Sequence, residues 1–165
     1  MEGLDVFGTD INPLARLIAE SKTNYSINPD DLSNEIANFQ VNIDRKDLKL
    51  NIPDIRNVET CFKSHFLEPL GKIRNYIDNI QDSHIHRFFQ VAFSETVRES
   101  SNTRKGEFKL FRYAPYKLKT HSPCPYKIML SKLERNFRGY TQFNQMMKYL
   151  GGSHKATILG PKFYI

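Results

Sequence analysis

The 165-residue sequence predicts an α/β fold that is predominantly helical, built from a short strand-and-helix unit, a long helical stretch and a second short strand near the other end. Three observations carry this. The strand-like run Leu4-Asp5-Val6-Phe7-Gly8-Thr9 leads into Asp10-Ile11-Asn12-Pro13 and then the helical Leu14 to Thr23. Two stripes of apolar residues at helical spacing follow, and the run from Lys155 to Leu159 suits a short strand.

An acidic side chain at the carboxyl end of a strand, followed at once by a helix start, is where open α/β sheets bind a nucleoside. A carboxylate accepts two hydrogen bonds from a ribose diol. Pro13 sets φ for the first helical turn, and Leu14, Leu17 and Ile18 share a face that can cover a sheet. Phosphate-cradling loops carry a glycine cluster roughly 20 residues ahead of such an acid. Only nine residues precede Asp10, so the expectation is a chain that opens at or just before the second strand of a nucleotide-type fold.

Asn28-Pro29-Asp30 caps a helix expected from Asp31 to about Ile43, and Asp44 to Arg56, with Pro53, reads as an extended connector. The stripe Phe62, Phe66, Leu70, Ile73, Ile77 and Ile80 is helical, with a break or kink expected near His65 to Glu68 because of Pro69. Ile85, Phe88, Phe89, Ala92, Phe93 and Val97 form the clearest amphipathic helix, capped by Asp82 or Ser83, and its phenylalanines are expected in the core. Ser100 to Gly106 reads as a polar turn, Glu107 to Tyr113 as a half-buried strand, and Ala114 to Pro125, with three prolines, as a loop. A long helix is expected over Lys127 to Leu150, with Met129, Leu133, Phe137, Tyr140, Met147 and Leu150 near one face. Gly139 is a point of weakness in it, and Gly151-Gly152 stops it.

The net charge of +6 conceals a division. Residues 1–100 hold 11 Lys/Arg against 16 Asp/Glu, whereas residues 101–165 hold 13 against 2. A basic half of this kind attracts a polyanion, usually nucleic acid; the bland alternative is a solvated basic face. Two cysteines, Cys61 and Cys124, without a C-x-x-C pair argue against a disulfide framework or zinc ribbon and favour a reducing cytosol. No apolar run approaches the ~20 residues of a membrane span, so the expectation is a soluble cytoplasmic protein with no membrane partner. His84-x-His86 places its rings on diverging helix faces, so no metal site is expected.

Around the turn from Ser100 to Arg112 the sequence gathers hydroxyls, an amide and two guanidinium groups. That set suits phosphate or a carboxylate network; equally, Ser100, Ser101 and Asn102 cap and turn the chain while Arg104 pairs with Glu99. With both stretches in view, the sequence resembles the S-adenosylmethionine-dependent DNA amino-methyltransferases, which methylate adenine N6 or cytosine N4. The likeness lies in the run Gly8 to Pro13 with Lys22-Thr23, and in the "S-x-x-R…E-F-K-L-x-R" run Ser101 to Arg112. It implies a fragment of a Rossmann-like methyltransferase fold with a helical insertion. Residues 1–23 would be the second strand and following helix of the cofactor fold, 24–150 the mostly helical insertion, and 151–165 a possible terminal strand.

On that likeness Asp10 binds the ribose hydroxyls of S-adenosylmethionine, Ile11 lies against the adenine, and Asn12 and Pro13 shape the turn. A basic DNA-facing region would comprise Ser101, Arg104, Lys105, Lys109, Arg112, Lys117 and Lys119. The family's glycine-rich motif and its Pro-Pro-Tyr type catalytic loop are not among these residues, and Ala114-Pro115-Tyr116 and Ser122 to Tyr126 only echo the latter. No catalytic residue is therefore assigned. His154 to Gly160 looks like the family's third strand, with Pro161 where an Asp usually stands. The expectation is a partial DNA methyltransferase, inactive alone, with DNA and a complementary methyltransferase polypeptide as partners. The alternative is a small non-enzymatic nucleic-acid-binding or interaction protein.

Overall fold

The computed structural model describes residues 5–43, 49–104, 109, 111–151 and 155–160. In chain order the elements are β1 (Val6–Thr9), α1 (Pro13–Thr23), α2 (Pro29–Asn42), α3 (Val58–Cys61), α4 (Ser64–Asp78), α5 (Ser83–Ser100), α6 (Pro115–Thr120), α7 (Pro125–Tyr149) and β2 (Ala156–Leu159). The described residues are thus mostly helical, with one small parallel sheet in which Val6 pairs with Ala156 and Thr9 with Leu159.

Local chemistry sets the helix starts. The Asn12, Asn28 and Asp82 side chains each accept from backbone N–H groups of the first turn, and Pro13 and Pro29 occupy positions where a missing N–H costs nothing. Asp82 rather than Ser83 caps α5. α4 runs unbroken through Pro69, in its second turn, which corrects the break expected near His65 to Glu68: the proline removes one backbone hydrogen bond near the helix start, and burial of Phe66, Leu70 and Ile73 outweighs it. α7 runs unbroken through Gly139, whose position meets no neighbouring atom within 4 Å, so tertiary packing on either side outweighs a propensity loss of about 1 kcal/mol.

Helices α2, α4, α5 and α7 enclose the core, in which Leu32, Phe39, Ile73, Phe89, Met129 and Leu133 are fully buried. Phe39 meets Tyr76 and Phe89 edge-on, and the Tyr76 hydroxyl donates to Glu35 Oε1 at 2.7 Å. Burial, reinforced by that carboxylate, pushes the Tyr76 phenol well above its ordinary pKa. Phe88 is buried and Phe93 packs against the core from its edge, as the stripe in α5 predicts. The link between α1 and α2 is tied to α7: Tyr140 donates to the Ile27 carbonyl at 2.7 Å and Asn144 to the Tyr25 carbonyl at 2.8 Å.

Three further expectations need correction. Ala114 to Pro125 is not all loop, because Pro115 starts the short helix α6. The half-buried strand over Glu107 to Tyr113 is not formed at its described end, where pairing reduces to one antiparallel bridge between Thr103 and Arg112; residues 105–108 and 110 lie outside the described residues. The turn after α5 is polar in composition but buried, Ser100, Ser101 and Asn102 being 0%, 8% and 2% exposed. Of the connector, residues 49–55 form neither helix nor strand, while 44–48 lie outside the described residues.

Candidate functional site

At the carboxyl end of β1 the backbone N–H of Asp10 donates to the Leu159 carbonyl at 3.1 Å, so the parallel ladder continues to this residue. One carboxylate oxygen, Oδ1, accepts from the Asn12 N–H at 2.7 Å, and Asn12 Oδ1 in turn accepts from the Leu14 N–H at 2.9 Å. These consecutive side-chain turns swing the chain from strand into α1 and hold the Asp10 carboxylate at the strand's end. The other oxygen, Oδ2, has no hydrogen-bond partner among the described residues. Asp10, Ile11, Asn12 and Pro13 are all exposed, Ile11 at 77%.

Gly160, just past β2, closes this corner. A Cβ there would run into the Asp10 carbonyl and the Arg16 side chain, so only glycine lets the two strand ends approach so closely. Sequence reasoning missed this role. The signal available was a glycine directly after the second strand's apolar run.

The predicted basic residues fall into two groups. Arg104 and Arg112 are exposed and neighbours in space: Arg104 donates its backbone N–H to the Phe111 carbonyl at 2.7 Å, beside the Thr103–Arg112 bridge. Lys109 is exposed nearby in sequence, and Lys105 lies outside the described residues. Lys117 and Lys119 are exposed on α6, where a two-residue separation turns their side chains about 200° apart. Ser101 is placed differently. Its hydroxyl lies 2.8 Å from the Arg98 carbonyl and 2.6 Å from the Thr103 hydroxyl, so it is engaged inside the turn.

Residues outside the predicted set hold this basic loop in place. Asn102 donates its backbone N–H to the Cys61 carbonyl at 2.8 Å and its side-chain amide to the Thr60 carbonyl at 3.2 Å. His121 Nε2 lies 3.0 Å from the Ser101 carbonyl, its ring packs on Tyr113, and the Lys63 ammonium donates to the His121 carbonyl at 2.6 Å. Asn102 stands within the Ser101 to Arg112 run, whereas nothing in the sequence marked His121 or Lys63. Glu99 takes Lys132 as a partner at 2.5 Å. Among the described residues no cluster of three metal-ligating side chains occurs, and no helix is long and apolar enough to cross a membrane.

No family model matches the chain, and no solved structure matches it significantly. The chain is similar to the Type II methyltransferase M.MvaI of Kocuria varians, with 35% identity over 165 residues. The match covers 95% of this chain and 36% of that relative, so the chain spans about a third of the relative's length. The resemblance carried by Gly8 to Pro13 and Ser101 to Arg112 is thereby borne out: along nearly its whole length the chain is related to part of a Type II methyltransferase.

Proposed function

We propose that this chain forms the part of an S-adenosylmethionine-dependent DNA amino-methyltransferase that holds the cofactor's ribose and presents a basic surface to DNA. The observation that carries it is the Asp10 corner: a carboxylate at the end of a parallel strand, one oxygen anchored by Asn12 and the other available to a diol. The oxygen left without a donor fits the ribose end of the cofactor, which supplies an electrophilic methyl group when bound. Ile11, exposed beside Asp10, offers an apolar surface to the adenine, and Asn12 and Pro13 keep the turn rigid. The catalytic and glycine-rich motifs of the family are not among these residues, so transfer needs groups supplied from outside them.

The sheet supports a complementary methyltransferase polypeptide as partner. Parallel strands in α/β proteins are covered on both faces, yet Val6, Phe7 and Leu159 are 58%, 73% and 51% exposed. Among the described residues each strand also keeps one edge outside the ladder, with strand order β1-β2. In this reading residues 1–23 and 151–165 belong to the Rossmann-like cofactor fold and 24–150 are its helical insertion. Arg104, Lys105, Lys109, Arg112, Lys117 and Lys119 contact backbone phosphate, and Ser101 shapes the loop that carries the first of them.

Calorimetric titration with S-adenosylmethionine tests the proposal, using the chain alone and mixed with a polypeptide made from the unmatched part of M.MvaI. Binding in the mixture that disappears in Asp10→Ala supports it; binding indifferent to Asp10→Ala refutes it. DNA binding with a steep salt dependence, but no cofactor binding in either arrangement, would favour a non-enzymatic nucleic-acid-binding protein.

A further inference from the structure

A cavity of about 570 Å³ opens between the carboxyl-terminal half of α1, the middle of α5 and the second half of α7. It is separate from the Asp10 corner: Lys22, on its rim, stands nine residues beyond Pro13, about 13 Å along the helix axis. Its volume lies within the range of small-molecule sites, about 300–1,000 Å³. We propose that this cavity binds a small aromatic anion of nucleotide size, with the ring among Phe88, Tyr140 and Phe143 and the anionic group beside Lys22.

Two features of the walls point to an occupant. Gly139 sits in the wall in the middle of a 25-residue helix, where any side chain would project into open space. A helix that accepts glycine there, at a cost of about 1 kcal/mol, keeps the cavity open. The rim carries net positive charge. Glu95 is engaged by Arg135 at 2.7 Å and by Lys132 at 3.1 Å, so its charge is offset and the exposed Lys22 remains as the rim's excess cation. Aromatic side chains in the lining and a cation at the mouth match an aromatic body with an anionic tail.

Deoxynucleoside monophosphates are suitable probes because they lack the ribose diol that Asp10 is proposed to hold. The full chain is titrated calorimetrically with dAMP and dCMP, with deoxyadenosine and deoxycytidine, and with octanoate as an aliphatic anion. Saturable binding of at least one nucleotide is expected, about tenfold tighter than its nucleoside and than octanoate. Lys22→Gln should bring the nucleotide down to the affinity of the nucleoside, and Gly139→Leu should weaken both at least about tenfold. Gly139→Ala, a smaller intrusion that also favours the helix, should fall between, and thermal melts confirm that each variant folds. No saturable binding by either nucleotide, undiminished binding in both Gly139 variants, equal affinity for octanoate, or loss of binding in Asp10→Ala would each overturn the proposal.

Discussion

Replacing Lys132 with methionine tests whether α5 and α7 are joined by charge as well as by apolar packing. The Lys132 ammonium lies 2.5 Å from Glu99 and 3.1 Å from Glu95, and its side chain is 15% exposed against 26% and 38% for the two glutamates. Exposed ion pairs contribute about 0.2–1 kcal/mol, whereas breaking a buried one costs about 3–5 kcal/mol. This cluster lies between those limits, and solvent screening discounts the share of Glu95. The expected loss is about 1–2 kcal/mol near neutral pH, or about 2–8 °C in Tm for a chain of this size. Methionine keeps most of the apolar stem, so the change isolates the charge.

The pH dependence has a definite sign. Burial opposes ionisation of Glu95, but hydrogen bonds from Arg135 and Lys132 outweigh it and hold the carboxyl below its ordinary pKa. That contribution is present above the ordinary glutamate range and is lost as pH falls through the lowered folded value. The hydrogen bond to Glu99, acting against desolvation, holds the Lys132 amine above its ordinary pKa, so its share is present below that ordinary value and is lost as pH rises through the raised one. Urea unfolding followed by circular dichroism at about pH 7 and about pH 3 should show the deficit of Lys132→Met narrowing in acid. An equal deficit at both pH values, or none near neutrality, would refute the assignment.

Phe89→Ala, at the fully buried centre of the aromatic cluster, should cost about 3–5 kcal/mol, seen as a lower urea midpoint or loss of the cooperative transition. Gly160→Ala forces the end of β2 away from Asp10 and Arg16, so amide exchange at the Asp10 N–H should quicken while protection in α5 is kept. If the basic loop contacts phosphate, Arg104→Ala combined with Arg112→Ala should lower the salt slope of DNA binding by about 2, read from affinities at several salt concentrations. Tyr140→Phe leaves the buried Ile27 carbonyl without its donor and should cost about 1–3 kcal/mol by the same urea assay.

Much of the architecture was legible in the residues because its causes are local. The Asp10-Ile11-Asn12-Pro13 corner, the Asn28 and Asp82 caps and the apolar stripes of α4, α5 and α7 act within a few positions of where they are read. The reading failed where one residue type has two local roles and where distant neighbours intervene. The prolines of Ala114 to Pro125 concealed α6, since Pro115 starts a helix as readily as a proline breaks one. The serines after α5 resembled a solvated turn, yet Asn102 is drawn beneath the surface by carbonyls of Thr60 and Cys61, some forty residues earlier.

By itself the sequence determined where the longer helices α1, α2, α4, α5 and α7 lie, where an acid meets the end of a strand, and that positive charge gathers in the later residues, because propensity, capping and composition require no partner. Only the tertiary structure decided that β1 lies parallel to β2, joined across 150 positions by the Lys155 N–H and the Asp5 carboxylate at 2.8 Å. It alone opened the cavity beside Gly139 and withdrew Ser101 from the surface. Those outcomes depend on which faces the helices turn to one another, and contacts between residues far apart in the chain leave no periodic trace along it.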